Sequence, residues 1–187
     1  MRRNAPRLAA KLAMVLGLAA IAGCVSFTGA DPTKRTLGTA IDDEAVEILA
    51  KRRIRAADDR LAESHINVVS YHGVVLLTGE VETGALRDAA ERAVADIRKI
   101  RALHNDIQVG GASNLVARAN DSWLATKVRS SLTASEEVKV TRIKVVAERG
   151  VIYLIGVVPR NQGDAAAEIA RDVFGVNRVV KVFDYLD

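Results

Sequence analysis

The sequence predicts an α+β fold in two tandem copies of one unit, each with the order helix, strand, strand, helix, strand. Residues 73–81 and 150–158 share the pattern Gly-Val-[Val/Ile]-x-Leu-x-Gly at an offset of 77 positions, and a repeat of this length indicates a duplicated structural unit. Within each copy, stretches with helical apolar spacing alternate with runs of β-branched residues. We therefore expect two helices packed on a three-stranded mixed sheet in each copy.

The first helix of each copy is predicted from apolar residues spaced at i, i+4 and i+8 over residues 43–56 and 121–132. Asp43 and Asp121 stand at the start of these stretches. Aspartate is a good N-cap residue, so we expect the two helices to begin there. The helix of the second copy carries Trp123, the only tryptophan of the chain.

A β-hairpin follows each first helix. β-branched runs flank His72-Gly73 in the first copy and Arg149-Gly150 in the second, and a glycine there supplies the positive φ that a tight turn needs. Each copy is completed by an alanine-rich helix, over 85–98 and 162–174, and by a final strand, over 102–109 and 177–185. A unit of about 65 residues is marginally stable by itself, so we expect the two copies to pack together.

The N-terminus has the features of a secretory signal. Its first eleven residues hold four bases and no acid, an apolar run follows over 12–22, and Gly23-Cys24 ends the segment. Eleven apolar residues are too few for a helix that spans a bilayer, which needs about twenty. The segment resembles a bacterial lipobox, in which the cysteine is acylated, with palmitate-type chains, and becomes the new N-terminus. An ordinary signal peptide with a chance cysteine is the alternative.

Removal of this segment changes the charge of the chain. The full sequence has 27 Lys and Arg against 23 Asp and Glu, and residues 1–23 hold four of the bases and none of the acids. The positive excess therefore belongs to the signal and gives no support to nucleic-acid binding. Since the single cysteine, Cys24, is assigned to lipid, no internal disulfide is expected.

These features divide the chain into five segments. We expect a signal peptide at 1–23, a lipidated N-terminus with a flexible tether at 24–41, a first domain at 42–110, a linker at 111–117 and a second domain at 118–187. Glycine and serine at the join between the copies favour a flexible connection.

The repeated unit resembles the BON domain of bacterial periplasmic and outer-membrane proteins. It has the acid at the first helix (Asp43, Asp121), the glycine-bounded hairpin, and Gly175 before the last strand, where the first copy departs from the pattern with Lys99. With the lipobox, the whole chain resembles a dual-BON-domain outer-membrane lipoprotein, and Val25 after the cysteine favours the outer over the inner membrane. The resemblance implies a non-enzymatic, periplasm-facing protein that needs no cofactor beyond its covalent lipid.

The resemblance also implies a role in envelope integrity and binding of anionic phospholipid, notably phosphatidylglycerol, by the first helix of the second copy. We assign this contact to three residues, with two more holding the helix on its sheet: Trp123, Lys127 and Arg129, with Leu124 and Val128. A tryptophan beside bases suits a membrane interface, where each base attracts anionic lipid by about 1 kcal/mol. From the residues alone, the favoured alternative is that Trp123 fills the groove between the two copies, because most aromatic residues at helical spacing are packed.

Two other functions remain open at the level of sequence. The chain could be a lipid-anchored adaptor for an envelope protein, such as the outer-membrane protein assembly machinery or a division-site protein, or it could be a stress-related holdase. Ionic strength separates the first of these from lipid binding, because salt weakens headgroup attraction. No spacing of His65, His72, His104 or carboxylates predicts a metal, and no nucleophile motif predicts an enzyme.

The densest basic run of the mature chain lies at 51–55, on the first helix. It could touch lipid headgroups, but acids precede it on the same helix and Glu47 is four residues before Lys51. That spacing favours a solvated face paired within the helix.

Overall fold

A computed structural model of the protein describes residues 35–111 and 115–186. The predicted signal peptide, Cys24, the first part of the tether and the linker residues 112–114 lie outside this range. Among the helices that it contains, none combines the length and the apolar character that crossing a membrane requires.

The first copy contains seven elements arranged on one sheet. Helix α1 (Leu37–Ala57) is followed by α2 (Asp59–Glu63), β1 (Ile66–Tyr71), β2 (Val74–Val81), α3 (Gly84–Val94), β3 (Ala102–Asn105) and β4 (Gln108–Val109). Strand β2 pairs antiparallel with β1 and parallel with both β3 and β4. The predicted last strand is thus interrupted, because Ile107 turns into the core, where it is 3% exposed.

The second copy repeats this order with fewer interruptions. Helix α4 (Leu115–Ala134) and a 3₁₀ turn (Val140–Arg142) precede β5 (Ile143–Glu148), β6 (Val151–Val158), α5 (Arg160–Arg171) and β7 (Arg178–Tyr185). Strand β6 pairs antiparallel with β5 and parallel with β7. The predicted α+β fold and the order helix, strand, strand, helix, strand are confirmed in both copies.

Helix α1 begins earlier than predicted. Thr36 is its N-cap, and the Thr36 hydroxyl accepts a hydrogen bond from the backbone N–H of Thr39 at 3.1 Å. Asp43 lies inside the helix and is 2% exposed, so its predicted capping role is wrong. Residues 37–41, assigned to the flexible tether, are helical.

Helix α4 begins at Leu115, six residues before the predicted cap at Asp121. Asp121 is 5% exposed and faces the hairpin of its own copy. The run Leu-Val-Ala-Arg-Ala ahead of it consists mostly of good helix formers, which extends the helix backwards through residues assigned to the linker.

Both hairpins turn as the glycines predicted. His72 and Gly73 have φ of 51° and 75°, and Arg149 and Gly150 have φ of 52° and 75°. Positive φ at both central residues is the type I′ turn that matches the twist of the flanking strands. Lys99 stands where the second copy has Gly175, but both residues have positive φ, 76° and 101°, so the backbone turns in the same way in the two copies.

Three apolar cores hold together the part of the chain that the structure describes. One lies under the helices of each copy, and the third lies between the two sheets, built from residues of both: Val69, Tyr71, Val74 and Leu76 with Val146, Tyr153, Ile155, Val157 and Val182. All eight residues of β2 are buried. A strand that is buried on both faces has a nearly continuous apolar sequence. In β2 the helices bury one face, and the sheet of the second copy buries the other.

Polar contacts also join the two copies. The hydroxyl of Tyr153 donates to Asp106 at 2.6 Å, and Arg178 approaches the same carboxylate at 3.3 Å. Two further ion pairs cross the same interface: Arg101 with Asp184 at 2.8 Å, and Lys144 with Glu47 at 3.1 Å. Glu47 also accepts the backbone N–H of Ser70 at 2.8 Å. The predicted partner of Glu47 within its own helix, Lys51, is therefore replaced by Lys144 of the second copy.

Candidate functional site

Helix α4 has one buried face and one face in solvent. Leu124 and Val128 are 1% and 0% exposed and belong to the core of the second copy, as the apolar spacing predicts. Trp123 is 59% exposed, so it does not fill the groove between the copies. Leu124 and Val128 do not reach the surface, and any lipid contact by them is indirect, through their hold on the helix.

Asp121 fixes α4 against the hairpin beside it. Its carboxylate accepts the backbone N–H of Arg149 at 2.8 Å and that of Gly150 at 2.9 Å. These bonds satisfy two amides of the turn, which has no strand partner at that point. They set the position of the helix from which Trp123 projects two residues later.

Lys127 links two exposed aromatic rings. Its Nζ lies 4.3 Å from the ring centroid of Trp123 and 5.5 Å from that of Phe174. The same ammonium donates to the carbonyl oxygen of Phe174 at 2.8 Å. Cation–π contacts at exposed sites contribute about 0.5–1 kcal/mol each, enough to hold the three side chains as one group. We call Trp123, Lys127 and Phe174 the aromatic cluster.

Phe174 is the member of this cluster that sequence reasoning missed. In the sequence it is the last residue of the predicted helix 162–174, and no role at the site is predicted for it. The helix ends at Arg171, and Gly175 turns the chain with φ of 101°. Phe174 is 87% exposed as a result. The signal in the sequence is Gly175 itself. Positive φ is a conformation that only glycine adopts easily, so a glycine at this position indicates a turn directly after Phe174.

The exposed face of α4 that carries Trp123 includes apolar residues that were not predicted to contact lipid, and it does not include Arg129, which was. Leu115 and Val116 are 76% and 78% exposed, and Val116 is seven residues before Trp123, on the same side of the helix. Arg129 is six residues after Trp123, about 120° around the helix. The structure therefore groups Trp123 with Lys127 and leaves Arg129 on a different face.

A group of buried carboxyl groups lies where the two sheets meet. Glu148 is 6% exposed, and a cavity of about 340 Å³ beside it is lined by residues of both copies. One of its oxygens is 3.5 Å from the Thr78 hydroxyl, and the other is 3.9 Å from Nε2 of His65. Burial, together with the charges of Glu80 and Asp121, raises the pKa of Glu148 to about 7.

Within residues 35–111 and 115–186, no group of three or more histidines, cysteines and acids has a geometry that could hold a metal ion. His65 and His72 lie just beyond the two opposite ends of β1, and His104 lies on β3. The chemistry that this surface offers is thus exposed aromatic area beside a fixed positive charge.

Comparison with known proteins matches the two copies to one family. The BON domain matches residues 42–111 and 120–187. Over 186 residues the chain is 37% identical to outer membrane lipoprotein DolP of Haemophilus influenzae, covering 95% of this chain and 96% of that protein.

Two further relatives span most of the chain. The 21 kDa hemolysin of Actinobacillus pleuropneumoniae is 38% identical over 152 residues, which is 81% of this chain and 78% of that protein. Osmotically-inducible protein Y of Escherichia coli is 28% identical over 153 residues, 80% of this chain and 75% of that protein.

Proposed function

The chain belongs to the BON domain family, and from that premise we propose that it is an outer-membrane lipoprotein that binds anionic phospholipid through α4 of its second domain. The predicted likeness to dual-BON-domain outer-membrane lipoproteins is confirmed by DolP, which matches over nearly the whole length of both chains. In this proposal Cys24 carries the acyl anchor, and both domains face the periplasm. The protein acts without catalysis and supports the integrity of the outer membrane.

The observation that carries the proposal is the aromatic cluster. Trp123 and Phe174 are 59% and 87% exposed, and large apolar side chains left in solvent next to each other mark an interaction surface. Tryptophan is enriched at the level of lipid headgroups, where its ring is apolar on its faces and polar at its N–H. Lys127 lies between the rings and supplies the positive charge that an anionic headgroup would meet.

The rest of the helix suits the same contact. Leu115 and Val116 add apolar surface in its first turn. From Val116 to Lys127 the helix rises about 16 Å, so α4 would lie along the membrane surface and insert one side. Leu124 and Val128 keep the opposite side in the core, which lets the helix bind lipid without leaving its domain.

A protein partner is the second candidate for this surface, because exposed tryptophan and phenylalanine also anchor protein interfaces. The partner would be a component of the outer-membrane protein assembly machinery or of the division site. The two candidates differ in their response to salt. Attraction between Lys127 and anionic headgroups weakens with ionic strength, whereas an apolar protein interface keeps its strength.

The test uses the form that lacks residues 1–24, whose three cores are complete because all their members lie between residues 46 and 183. Its single tryptophan reports on the proposed site. We expect emission to start at a long wavelength, since the indole is exposed, and to shift to shorter wavelength with phosphatidylglycerol vesicles only. Salt should reverse the shift. Emission that stays unchanged with anionic and zwitterionic vesicles alike would refute lipid binding at α4.

A further inference from the structure

Helix α1 of the first domain has a second apolar face, directed away from its core. Its buried side consists of Val46, Ala50 and Ile54. On the opposite side Leu37, Ile41 and Ile48 are 85%, 68% and 44% exposed, and their positions fall within about 40° of one another around the helix. We call these three residues the outer ridge of α1. They leave uncovered a strip of apolar surface about 16 Å long.

The charges beside the outer ridge are unevenly neutralised. Asp42 pairs with Lys99 at 2.6 Å and Asp43 with Arg35 at 3.2 Å. Further along the same side, Arg52 and Arg55 are exposed, and neither has an acidic partner within the described residues.

Glu47 is also neutralised, by Lys144 of the second copy at 3.1 Å, whereas Glu44 is exposed on the same side of the helix as the outer ridge. The apolar strip therefore ends in two available guanidinium groups, and Glu44 is an exposed acid that stands along it.

We propose that the outer ridge of α1, with Arg52 and Arg55, is a second lipid-contacting surface, which seats the first domain on an anionic membrane. An apolar strip bordered by arginines is the pattern of helices that lie in the headgroup region. Each arginine near the surface adds attraction to anionic lipid.

The proposal rests on the proposed function for its geometry. With Cys24 as the anchor, only twelve residues separate the lipid from Leu37, a reach of at most about 45 Å for a fully extended chain. The anchor would thus keep the start of the ridge within about 45 Å of the bilayer. The tether brings the ridge to the bilayer, and the apolar strip with its arginines supplies the affinity, which can be measured without the anchor.

The test must report on α1 separately from Trp123. The form lacking residues 1–24 contains no cysteine, so Ala45→Cys, on the exposed side of α1, accepts a single environment-sensitive fluorophore. A label at Arg92→Cys, on the exposed surface of α3, is the matched control. With phosphatidylglycerol vesicles we expect the label at position 45 to move to an apolar environment and the label at position 92 to stay in water.

Two variants of the unlabelled protein measure the contributions. Ile41→Ser with Ile48→Ser should lower partitioning into anionic vesicles roughly tenfold. Arg52→Gln with Arg55→Gln should lower it about fivefold per arginine at low salt. Because all four side chains are exposed, thermal unfolding should be unchanged, which separates loss of binding from loss of fold.

The outcomes distinguish this inference from the proposal for α4. If Trp123 responds to vesicles and the label at position 45 does not, the inference is overturned and lipid binding by α4 stands. If the label responds and Trp123 does not, the outer ridge is a lipid surface and the proposal for α4 fails. A response of the label to protein concentration without vesicles would mean that the ridge joins two copies of the chain, which also overturns the inference.

Discussion

The carboxylate of Asp43 accepts the backbone N–H of Gly73 at 3.0 Å, thirty positions along the chain. It also accepts the N–H of His72 at 3.0 Å and the hydroxyl of Ser70 at 2.8 Å. Asp121 bonds in the same way to the turn of the second domain. The acid near the start of each first helix thus ties that helix to its hairpin, and in both domains it does so from within the helix.

Replacement of Asp121 by alanine should destabilise the protein by about 2–4 kcal/mol, because the buried amide of Gly150 and the partly buried amide of Arg149 lose their acceptor. Urea unfolding measures the change. Glu137→Ala removes an acid from an exposed loop of the same domain and should change stability by less than about 0.5 kcal/mol. Equal effects of the two substitutions would mean that the hydrogen bonds from the turn to Asp121 contribute nothing to stability.

The hydrogen bonds that Asp43 accepts in the first domain should also make the stability of the protein depend on pH in the acidic range. Burial by itself would raise the pKa of Asp43, but the hydrogen bonds from Gly73, Ser70 and His72, with the charge of Arg35, outweigh it and hold the pKa below its ordinary value of 3.8. A carboxyl with a lowered pKa contributes stability above about pH 3.8 that is lost as pH falls through its folded value.

Unfolding free energies measured from pH 5 down to pH 2 should therefore fall more steeply for the native chain than for Asp43→Asn, whose side chain does not titrate. Parallel curves would contradict the assignment of this loss to Asp43.

Local sequence pattern predicted the elements of each domain but not all of their ends. The spacing that places Val46 and Leu124 on buried faces, and the glycines of the two turns, depend on residues close together in the chain. Asp43 and Asp121 misled because a capping residue and a residue that bonds a distant turn have the same chemistry. Only the hairpin brought against the helix by folding distinguishes them.

The third core shows a second limit of sequence reasoning. The apolar run in β2 shows that both faces of the strand are buried, but it does not name the layer on the second face. That layer is the other domain, in which Tyr153 packs against β2 and bonds Asp106. The candidate site divides in the same way: Trp123 and Lys127 are four residues apart on one helix, while Phe174 joins them only through the turn at Gly175.

The glycine that closes the hairpin motif should tolerate no side chain. Gly79 has φ of 119°, and a Cβ atom there would lie 1.9 Å from the carbonyl oxygen of His65. The clash is with backbone, and the φ is one that other residues rarely adopt. Gly79→Ala should therefore lower the free energy of unfolding by at least about 3 kcal/mol.

Gly84→Ala is the control for this substitution, because a Cβ atom there meets nothing within 4 Å beyond its own local backbone and alanine favours the helix that begins there. Thermal unfolding of the two variants should differ widely, with Gly84→Ala at or above the native chain. Similar unfolding temperatures would show that the carbonyl of His65 does not exclude a side chain at position 79.

Substitutions at Phe174 and Lys127, the two residues grouped with Trp123, should affect partitioning into vesicles in different ways. Phe174→Ser removes an 87% exposed ring and should lower partitioning into phosphatidylglycerol vesicles roughly tenfold at all salt concentrations. Lys127→Gln removes a charge and should lower it about fivefold at low salt only. Vesicle sedimentation at two ionic strengths measures both.

Lys139→Gln makes the same change of charge at an exposed loop position of the second domain and serves as the control for Lys127. If it lowers binding as much as Lys127→Gln, net charge and not the cluster governs attraction to the membrane. An unchanged affinity in Phe174→Ser would remove Phe174 from the lipid-contacting surface.

Glu148 should make the protein less stable as pH rises toward neutrality. Its pKa is raised from 4.5 to about 7, first by burial and then by the charges of Glu80 and Asp121. The folded state therefore holds a proton that the unfolded chain releases near pH 4.5. The stabilisation is complete below that pH and disappears between pH 4.5 and about 7, by up to about 3 kcal/mol.

Glu148→Gln keeps the size of the side chain and an oxygen for the Thr78 hydroxyl, but it has no charge to bury. We expect this variant to flatten the fall in unfolding free energy between pH 4.5 and 7 and to exceed the native chain in stability at pH 8. Glu136→Gln, at an exposed position, should leave the profile unchanged. This window lies above the one assigned to Asp43, so a single pH series separates the two groups. A native profile in Glu148→Gln would show that Glu148 is ionised and solvated at the junction of the two sheets.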